Sequence, residues 1–424
     1  MLISKVCALT LVLLASAPVW GAEGNQQARL TASDASAQDI FGSAVAIGGD
    51  YILVGAGLDD DRGDNSGSAY VFYRNGNDWT QQAKLTAADG MAGDAFGQLS
   101  VSINGSDALI GAHYKNSNSG AAYVFNRVGG TWTQQAKLVS SDGRINDLFG
   151  AAVSLYGDYA LVGETGTNAN SGLGAAYVFH RVGSTWSQQA KLISPDGVWE
   201  AGFGNRVCLH GDYAVVSAMT DNPGGTAYVF QRSGSVWTEI AKLTPSDGAK
   251  YNYFGCSISV SDDYIFLGAP GDNHNTGAAY VFAKSGGGWD QMAKLTAPEG
   301  KAWDEFGQSV VISGDNAIIS ASLANNAGCA YWFHSNGLSW ELVDTILPPS
   351  GAENSLFASP SGLDGNTLVL AAEGQDLGGI VDAGAVYVFT NVPEPATSTL
   401  WVLCALALVR RRRGKHPAAV RATI

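Results

Sequence analysis

Apolar residues recur along this chain in short alternating or continuous runs, and none keeps the three-to-four spacing of an amphipathic helix. One group typifies the rest: SAVAIGG at 43–49, YILVGAG at 51–57, GSAYVFYR at 67–74 and WTQQAKLTA at 79–87. Gly, Asn and Asp stand at the joints, so each group reads as four short strands linked by turns. A Phe-Gly pair opens each group at Phe41, Phe96, Phe149, Phe203, Phe254 and Phe306, and Phe357-Ala358 opens a seventh; the intervals are 55, 53, 54, 51, 52 and 51 residues. Four strands in about 50 residues is the size of one propeller blade. The pattern predicts an all-β chain folded as a seven-bladed β-propeller of four-stranded blades.

The third strand repeats as Ala-Tyr-Val-Phe ending at Phe72, Phe125, Phe179, Phe230 and Phe282, with variants ending at Phe333 and Phe389. The fourth strand is out of phase: Gln26-Gln27-Ala28-Arg29-Leu30 precedes the first Phe-Gly pair, and nothing like it follows Phe389. An N-terminal strand that completes the last blade would close the ring and leave no open edge within it.

Repeats also separate scaffold from candidate site, because a residue present at the same place in every blade serves the blade. Trp79, Trp132, Trp186, Trp237, Trp289 and Trp340 recur at the start of strand four and read as packing residues. The connection from strand four to the next strand one carries acids about seven and two residues before Phe, as in Asp34 with Asp39, Asp89 with Asp94 and Asp142 with Asp147. Such aspartates commonly accept loop N–H groups; the sharper alternative places Asp94 and Asp147 at the channel mouth as ligand contacts. In an up-and-down blade the four-to-one and two-to-three connections share a face. That face is expected to be acidic, and the other, with Arg74, Arg127, Arg181, Arg232 and Lys284, mildly basic. On the acidic face Trp199, Glu200, Tyr251, Tyr253, Trp303 and Asp304 are unrepeated. Aromatic rings beside carboxylates suit a sugar, whose C–H face stacks while its hydroxyls find acceptors; partial burial between blades is the competing reading.

Asp59, Asp61 and Asp64, in the run Asp59-Asp60-Asp61-Arg62-Gly63-Asp64-Asn65, put several hard oxygens in one loop and are candidate Ca²⁺ ligands, without EF-hand spacing. The Arg62-Gly63-Asp64 triplet is read as chance. The histidines His113, His180, His210, His274 and His334 show no metal spacing, and no Ser or Cys sits in a nucleophile motif. No catalytic residue is assigned.

Composition sharpens the picture at the ends. Met1 to Ala22 combine Lys5, an apolar run and small residues near Gly21, as a secretory signal does. The chain carries 24 Lys and Arg against 38 Asp and Glu, a net charge of −14. Removing both ends takes away Lys5, Arg410 to Arg413, Lys415 and Arg421 and leaves the body more acidic. That field disfavours nucleic acid as a partner. Cys208, Cys256 and Cys329 do not form a disulfide framework; a Cys208–Cys256 bridge and buried free thiols are the alternatives.

The Phe-Gly pairs, with segments such as Leu53-Val54-Gly55-Ala56 and Leu267-Gly268-Ala269-Pro270, resemble the FG-GAP repeats of bacterial proteins over about residues 26–390. The resemblance implies an integrin α-like propeller engaged in adhesion or ligand binding. It does not bring calcium to the joint between strands one and two, where the family's aspartate-rich loop is replaced by tight turns such as Gly48-Gly49-Asp50. The last thirty residues resemble a PEP-CTERM sorting signal: Pro393-Glu394-Pro395, an apolar run and a basic cluster that includes Arg410 and Arg411. That resemblance implies transient membrane association and cleavage by an exosortase-type enzyme. The expected organisation is a signal at 1–22, a propeller at 25–391, a sorting segment at 392–415 and a tail at 416–424. The expected function is exported cell-surface or matrix binding of a polysaccharide or a surface protein. The alternatives are a carbohydrate-active enzyme using loop carboxylates and a structural surface component.

Overall fold

In each repeat the second and third strands are apolar on both faces, as in Ile52 to Ala56 and Ala69 to Phe72, and the fourth alternates polar with partly buried positions. That gradient fits a sheet pressed between two other sheets on its inner part and exposed at its outer strand. The computed structural model describes residues 26–390 except 167–172, 197–201, 221–223, 249–250, 351 and 353–354. It contains seven four-stranded antiparallel sheets. Blade 1 comprises Phe41–Gly48, Tyr51–Ala56, Ser68–Asn75 and Asp78–Leu85, and the next five follow the same order. The expected signal, the sorting segment with Pro393, Glu394, Pro395, Arg410 and Arg411, and the loop pair Trp199 and Glu200 lie outside the described residues. Among the described residues no helix is long and apolar enough to cross a membrane.

The ring closes as the strand phase requires. Strand β1 (Gln26–Leu30) pairs antiparallel with the last strand, Ala385–Thr390, in the sheet that also holds Thr367–Ala372 and Ser361–Asp364. The chemistry of this joint copies the other blades. Every third-to-fourth strand pair carries a β-bulge, and the extra residue is Gln82, Gln135 or Gln189 in blades 1 to 3. The bulge turns that glutamine toward the next blade, where it accepts the indole N–H of Trp132, Trp186 and Trp237 at 2.9, 2.8 and 3.1 Å. In the last blade the extra residue is Gln27, which accepts from Trp79 of blade 1 at 3.4 Å. Met292 takes the bulge position before Trp340, and the Trp340 Nε1 is buried without a partner.

Blades meet most closely at the Phe-Gly pairs. The glycine before each third strand lies against the backbone of the next blade's phenylalanine, and a Cβ there would fall 1.9 to 2.4 Å from that carbonyl oxygen in all seven cases, from Gly67 with Phe96 to Gly384 with Phe41. Phe96, Phe149, Phe254, Phe306, Phe357 and Phe41 donate their N–H to the residue just before that glycine at 2.9–3.2 Å. The phenylalanine rings meet the third-strand Tyr and Phe edge to face, as Phe41 does with Tyr70 and Phe72 at 5.4 and 6.0 Å. Cys208, Cys256 and Cys329 are free thiols, so the Cys208–Cys256 bridge is not formed.

This packing predicts unequal costs for two glycine substitutions at positive φ. Gly129→Ala, at a turn with nothing within 4 Å, should lose about 1–2 kcal/mol from backbone strain. Gly120→Ala adds a Cβ 1.9 Å from the Phe149 carbonyl oxygen and should cost clearly more. Unfolding midpoints that fall equally would contradict the proposed blade contact.

Candidate functional site

The four-to-one and two-to-three connections gather on one side of the ring, as the strand order demands. Before Phe41, Phe96, Phe149, Phe254 and Phe306 the four-to-one connection takes a shared form. The third and first residues before it adopt left-handed backbone, as in Asn146 and Leu148, Tyr251 and Tyr253, and Trp303 and Glu305. The residue between them turns inward: Asp39, Asp94, Asp147, Asn252 and Asp304 are buried. Asp94, Asp147 and Asp304 accept the N–H of Met91, Arg144 and Lys301 at 2.7, 2.6 and 2.7 Å. These three carboxylates, candidate ligand contacts by sequence, staple their own loops, and Asp94 also pairs with the buried Lys115 at 2.7 Å. The flanking aromatic side chains point outward, with Tyr251 75%, Trp303 66% and Tyr253 40% exposed. Burial between blades, the competing reading of these rings, is not what the structure shows for Tyr251 and Trp303. Non-glycine residues in the left-handed region cost free energy that the loop framework must offset.

The earlier acid of each loop joins a second network. Asp34, Asp89, Asp142 and Asp247 accept the hydroxyl of the third-strand tyrosines Tyr70, Tyr123, Tyr177 and Tyr280 at 2.7–2.9 Å. Lysines of strand four pair with the same acids at 2.6–2.8 Å: Lys84 with Asp34, Lys137 with Asp89, Lys191 with Asp142 and Lys294 with Asp247. Lys242 pairs likewise with Asp196. The ammonium groups of Lys191 and Lys294 hold the Asp142 and Asp247 carboxyls below the usual carboxylate range. The face is therefore less acidic than its aspartates alone imply, because the lysines that answer them sit in another strand. On the opposite face three of the five cations are paired in the same way: Arg74 with Asp50 at 2.7 Å, Arg181 with Asp107 and Asp158 at 2.7 and 2.8 Å, and Arg232 with Asp212, while Arg127 and Lys284 lie over the rings of Tyr51 and Tyr213.

The candidate calcium residues divide. Asp59 and Asp61 come together with Asp34, their carboxylate oxygens within 4.8 Å of one another. Asp64 is not part of that cluster; its carbonyl accepts the Gly93 N–H at 2.8 Å. The Lys84 ammonium already binds all three clustered acids, at 2.8 Å to Asp34, 2.9 Å to Asp59 and 2.7 Å to Asp61. Burial works against the charge on Lys84, but its carboxylate partners outweigh it and raise its pKa. A Ca²⁺ ion needs six to eight oxygens free of such a competitor, so these residues do not fit one.

A feature missed in the sequence lies at the centre. Below the long loops the first strands enclose a cavity of about 510 Å³, lined by Ser43, Gln98, Ser100, Ser257, Gln308, Ser309 and Ser361 together with Arg206, Cys256 and Glu373. Three residues after Phe, the seven blades carry Ala44, Leu99, Ala152, Arg206, Ser257, Ser309 and Pro360. Arg206 is the one ionic side chain in that series, a signal visible once the repeats are aligned on Phe.

The FG-GAP repeat model matches residues 25–72, 79–125, 132–179, 186–230, 237–282 and 289–333. No curated protein matches the chain. Among solved structures it is similar to a chain of the mitotic checkpoint complex, at 13% identity and TM-score 0.56, covering 92% of this chain and 99% of that one. It is also similar to a Bacteroides uniformis protein with the provisional name 6-phosphogluconolactonase, at 12% identity and TM-score 0.53, covering 72% and 85%. At such identities these likenesses concern the fold.

Two outcomes follow from the charge networks. The unfolding midpoint should not respond to millimolar Ca²⁺ or to a chelator, whereas Lys84→Gln, which leaves three carboxylates without their ammonium, should gain a Ca²⁺-dependent rise. A calcium response in the unaltered protein would show that Lys84 yields to the ion. Burial first, and Asp147 second, push the Glu164 carboxyl up to about 7. The folded state then holds this proton more tightly than the unfolded chain, so stability should fall as pH rises from about 4.5 to about 7. Glu164→Gln should flatten that part of the profile, and an unchanged slope would remove Glu164 as its source.

Proposed function

Because the chain belongs to the FG-GAP repeat family, we propose that it is an exported binding propeller of the cell surface or matrix, with its long-loop face holding a polysaccharide. The observation that carries this reading is the display of Tyr251, Tyr253 and Trp303, whose rings stand out from loops fixed by buried groups beneath them. Rings pre-set in this way offer stacking area without ordering cost on binding.

In the same proposal, residues 1–22 direct export, and an exosortase-type enzyme acts at Pro393, Glu394 and Pro395. The reaction-based alternative is less supported. Among the described residues most of the repeated loop carboxylates are engaged with lysines, tyrosine hydroxyls or backbone N–H groups.

A glycan array of the mature protein and two variants tests the reading. Trp303→Ala and Tyr251→Ala should each weaken binding by about tenfold, equivalent to ~1.4 kcal/mol, with unchanged unfolding midpoints, since both side chains are mostly exposed. Undiminished glycan binding in both variants would move the site off this face.

A further inference from the structure

Arg206 stands on the inner strand Phe203–His210 of blade 4 and faces the central cavity. Its Nη1 donates to the carbonyl and side-chain oxygens of the adjacent Asn205 at 2.9 and 3.2 Å. No carboxylate lies in salt-bridge range of it among the described residues. Arg206 is half-buried, and a guanidinium partly withdrawn from water is favoured by an anionic partner. Here the chain has 38 acids against 24 Lys and Arg, and five other arginines or lysines on either face are matched to aspartates. Among the described residues Arg127 and Lys284 also lack a carboxylate but lie over the rings of Tyr51 and Tyr213; Arg206 has neither and faces the cavity.

The rest of the lining mixes apolar side chains such as Ile40, Leu99 and Ile258 with hydroxyls and amides. Ser100 and Ser257 also bond backbone of the next blade and Ser309 bonds Ser361, which leaves each hydroxyl oxygen a further lone pair for a ligand. Ser100, Ser257, Ser309 and Ser361 and the amides of Gln98 and Gln308 ring the space, and the Ser43 Oγ is buried without any hydrogen-bond partner. Burial disfavours charge on the other ionisable groups of the lining. Burial pushes the Cys256 thiol up to about 12, and burial alone pushes the Glu373 carboxyl up to about 7. The cavity has room for a single sugar ring but not for a folded peptide. Its lining comes from the first halves of the inner strands and from Glu373 at the end of Thr367–Ala372. It therefore lies at the end of the channel that meets the long-loop face.

We infer that this cavity binds a carboxylate-bearing sugar unit, a uronic acid, with the Arg206 guanidinium pairing its carboxylate and the serine and glutamine ring taking its hydroxyls. Arg–carboxylate pairing is planar and two-pronged, which gives the acid direction as well as affinity. The inference rests on the proposal that the long-loop face binds glycans, and it names the chemistry at the centre of that face.

Calorimetric titration of the mature protein with oligogalacturonate, a neutral galactose oligomer and inorganic sulfate tests it, alongside Arg206→Gln and Trp303→Ala. The expected result is binding of oligogalacturonate at least tenfold tighter than the neutral oligomer. Arg206→Gln should abolish that preference while leaving the unfolding midpoint within a few degrees. Equal affinity for acidic and neutral oligomers, or a preference that survives Arg206→Gln, would overturn the channel assignment and leave the face reading intact. Sulfate bound as tightly as oligogalacturonate would show a bare anion site and likewise overturn the sugar assignment. If neither oligomer binds, both readings fail together, whereas loss of affinity in Trp303→Ala alone would uphold the face and reject the channel. Should Arg206→Gln unfold, Arg206→Lys serves in its place: it keeps the charge but loses the two-pronged geometry, and the acidic preference should drop without disappearing.

Discussion

The structure depends on the approach of two backbones. Seven times around the ring, a glycine before the third strand lies against the carbonyl of the next blade's Phe, closer than any side chain would permit. The same contact brings the Phe N–H to a carbonyl of the preceding blade, while the Phe ring stays seated against the third-strand tyrosine of its own blade. Propeller sheets otherwise touch through side chains, which tolerate substitution. A backbone contact does not, which is why the spacing between Phe-Gly pairs varies by only a few residues while the loops between them differ in length and chemistry. Gly384 and Phe41 make the contact across the chain's two ends, so the last interface is held by the same constraint as the first.

Much of this was legible because repetition is a strong signal. The seven Phe-Gly starts, the displaced Gln26–Leu30 strand and the recurring tryptophans led to the ring, its closure and its scaffold. The bulge explains what the sequence left obscure in the Gln-Gln pairs: one glutamine stays in register and the other turns to a tryptophan fifty residues on. The site was less legible, for a physical reason. Charges that look free in a loop are neutralised by partners far away in sequence, as Asp34, Asp59 and Asp61 are by Lys84. A count of aspartates in one segment cannot reveal an ammonium delivered from another strand. Arg206 is marked by no local motif and emerges only when the third position after Phe is compared across all seven blades.

These networks divide the work of the face. The tyrosine, aspartate and lysine groups repeat in most blades and fix the loops on the sheets, with the inward carboxylates of Asp94, Asp147 and Asp304 holding each turn from within. What does not repeat lies outside that frame: the outward rings of Tyr251, Tyr253 and Trp303, and Arg206 below them in the channel. A rigid, repeated base with a few unrepeated groups lets those groups change without disturbing the ring, which is how one architecture serves many ligands.

The pairing of Gln26 with Phe389 and of Leu30 with Val386 has a mechanical consequence. It brings residue 26 and residue 390 to the same side of the disc, opposite the long loops. A tether leaving from residue 390 would therefore present the aromatic face away from its anchor. A load between that anchor and a captured ligand would pull the last strand along its own axis. Such a pull strains its ladder bonds to Thr367–Ala372 and to Gln26–Leu30 in shear, all together, rather than peeling them apart in turn. The borrowed strand then acts as a second rail that shares the force.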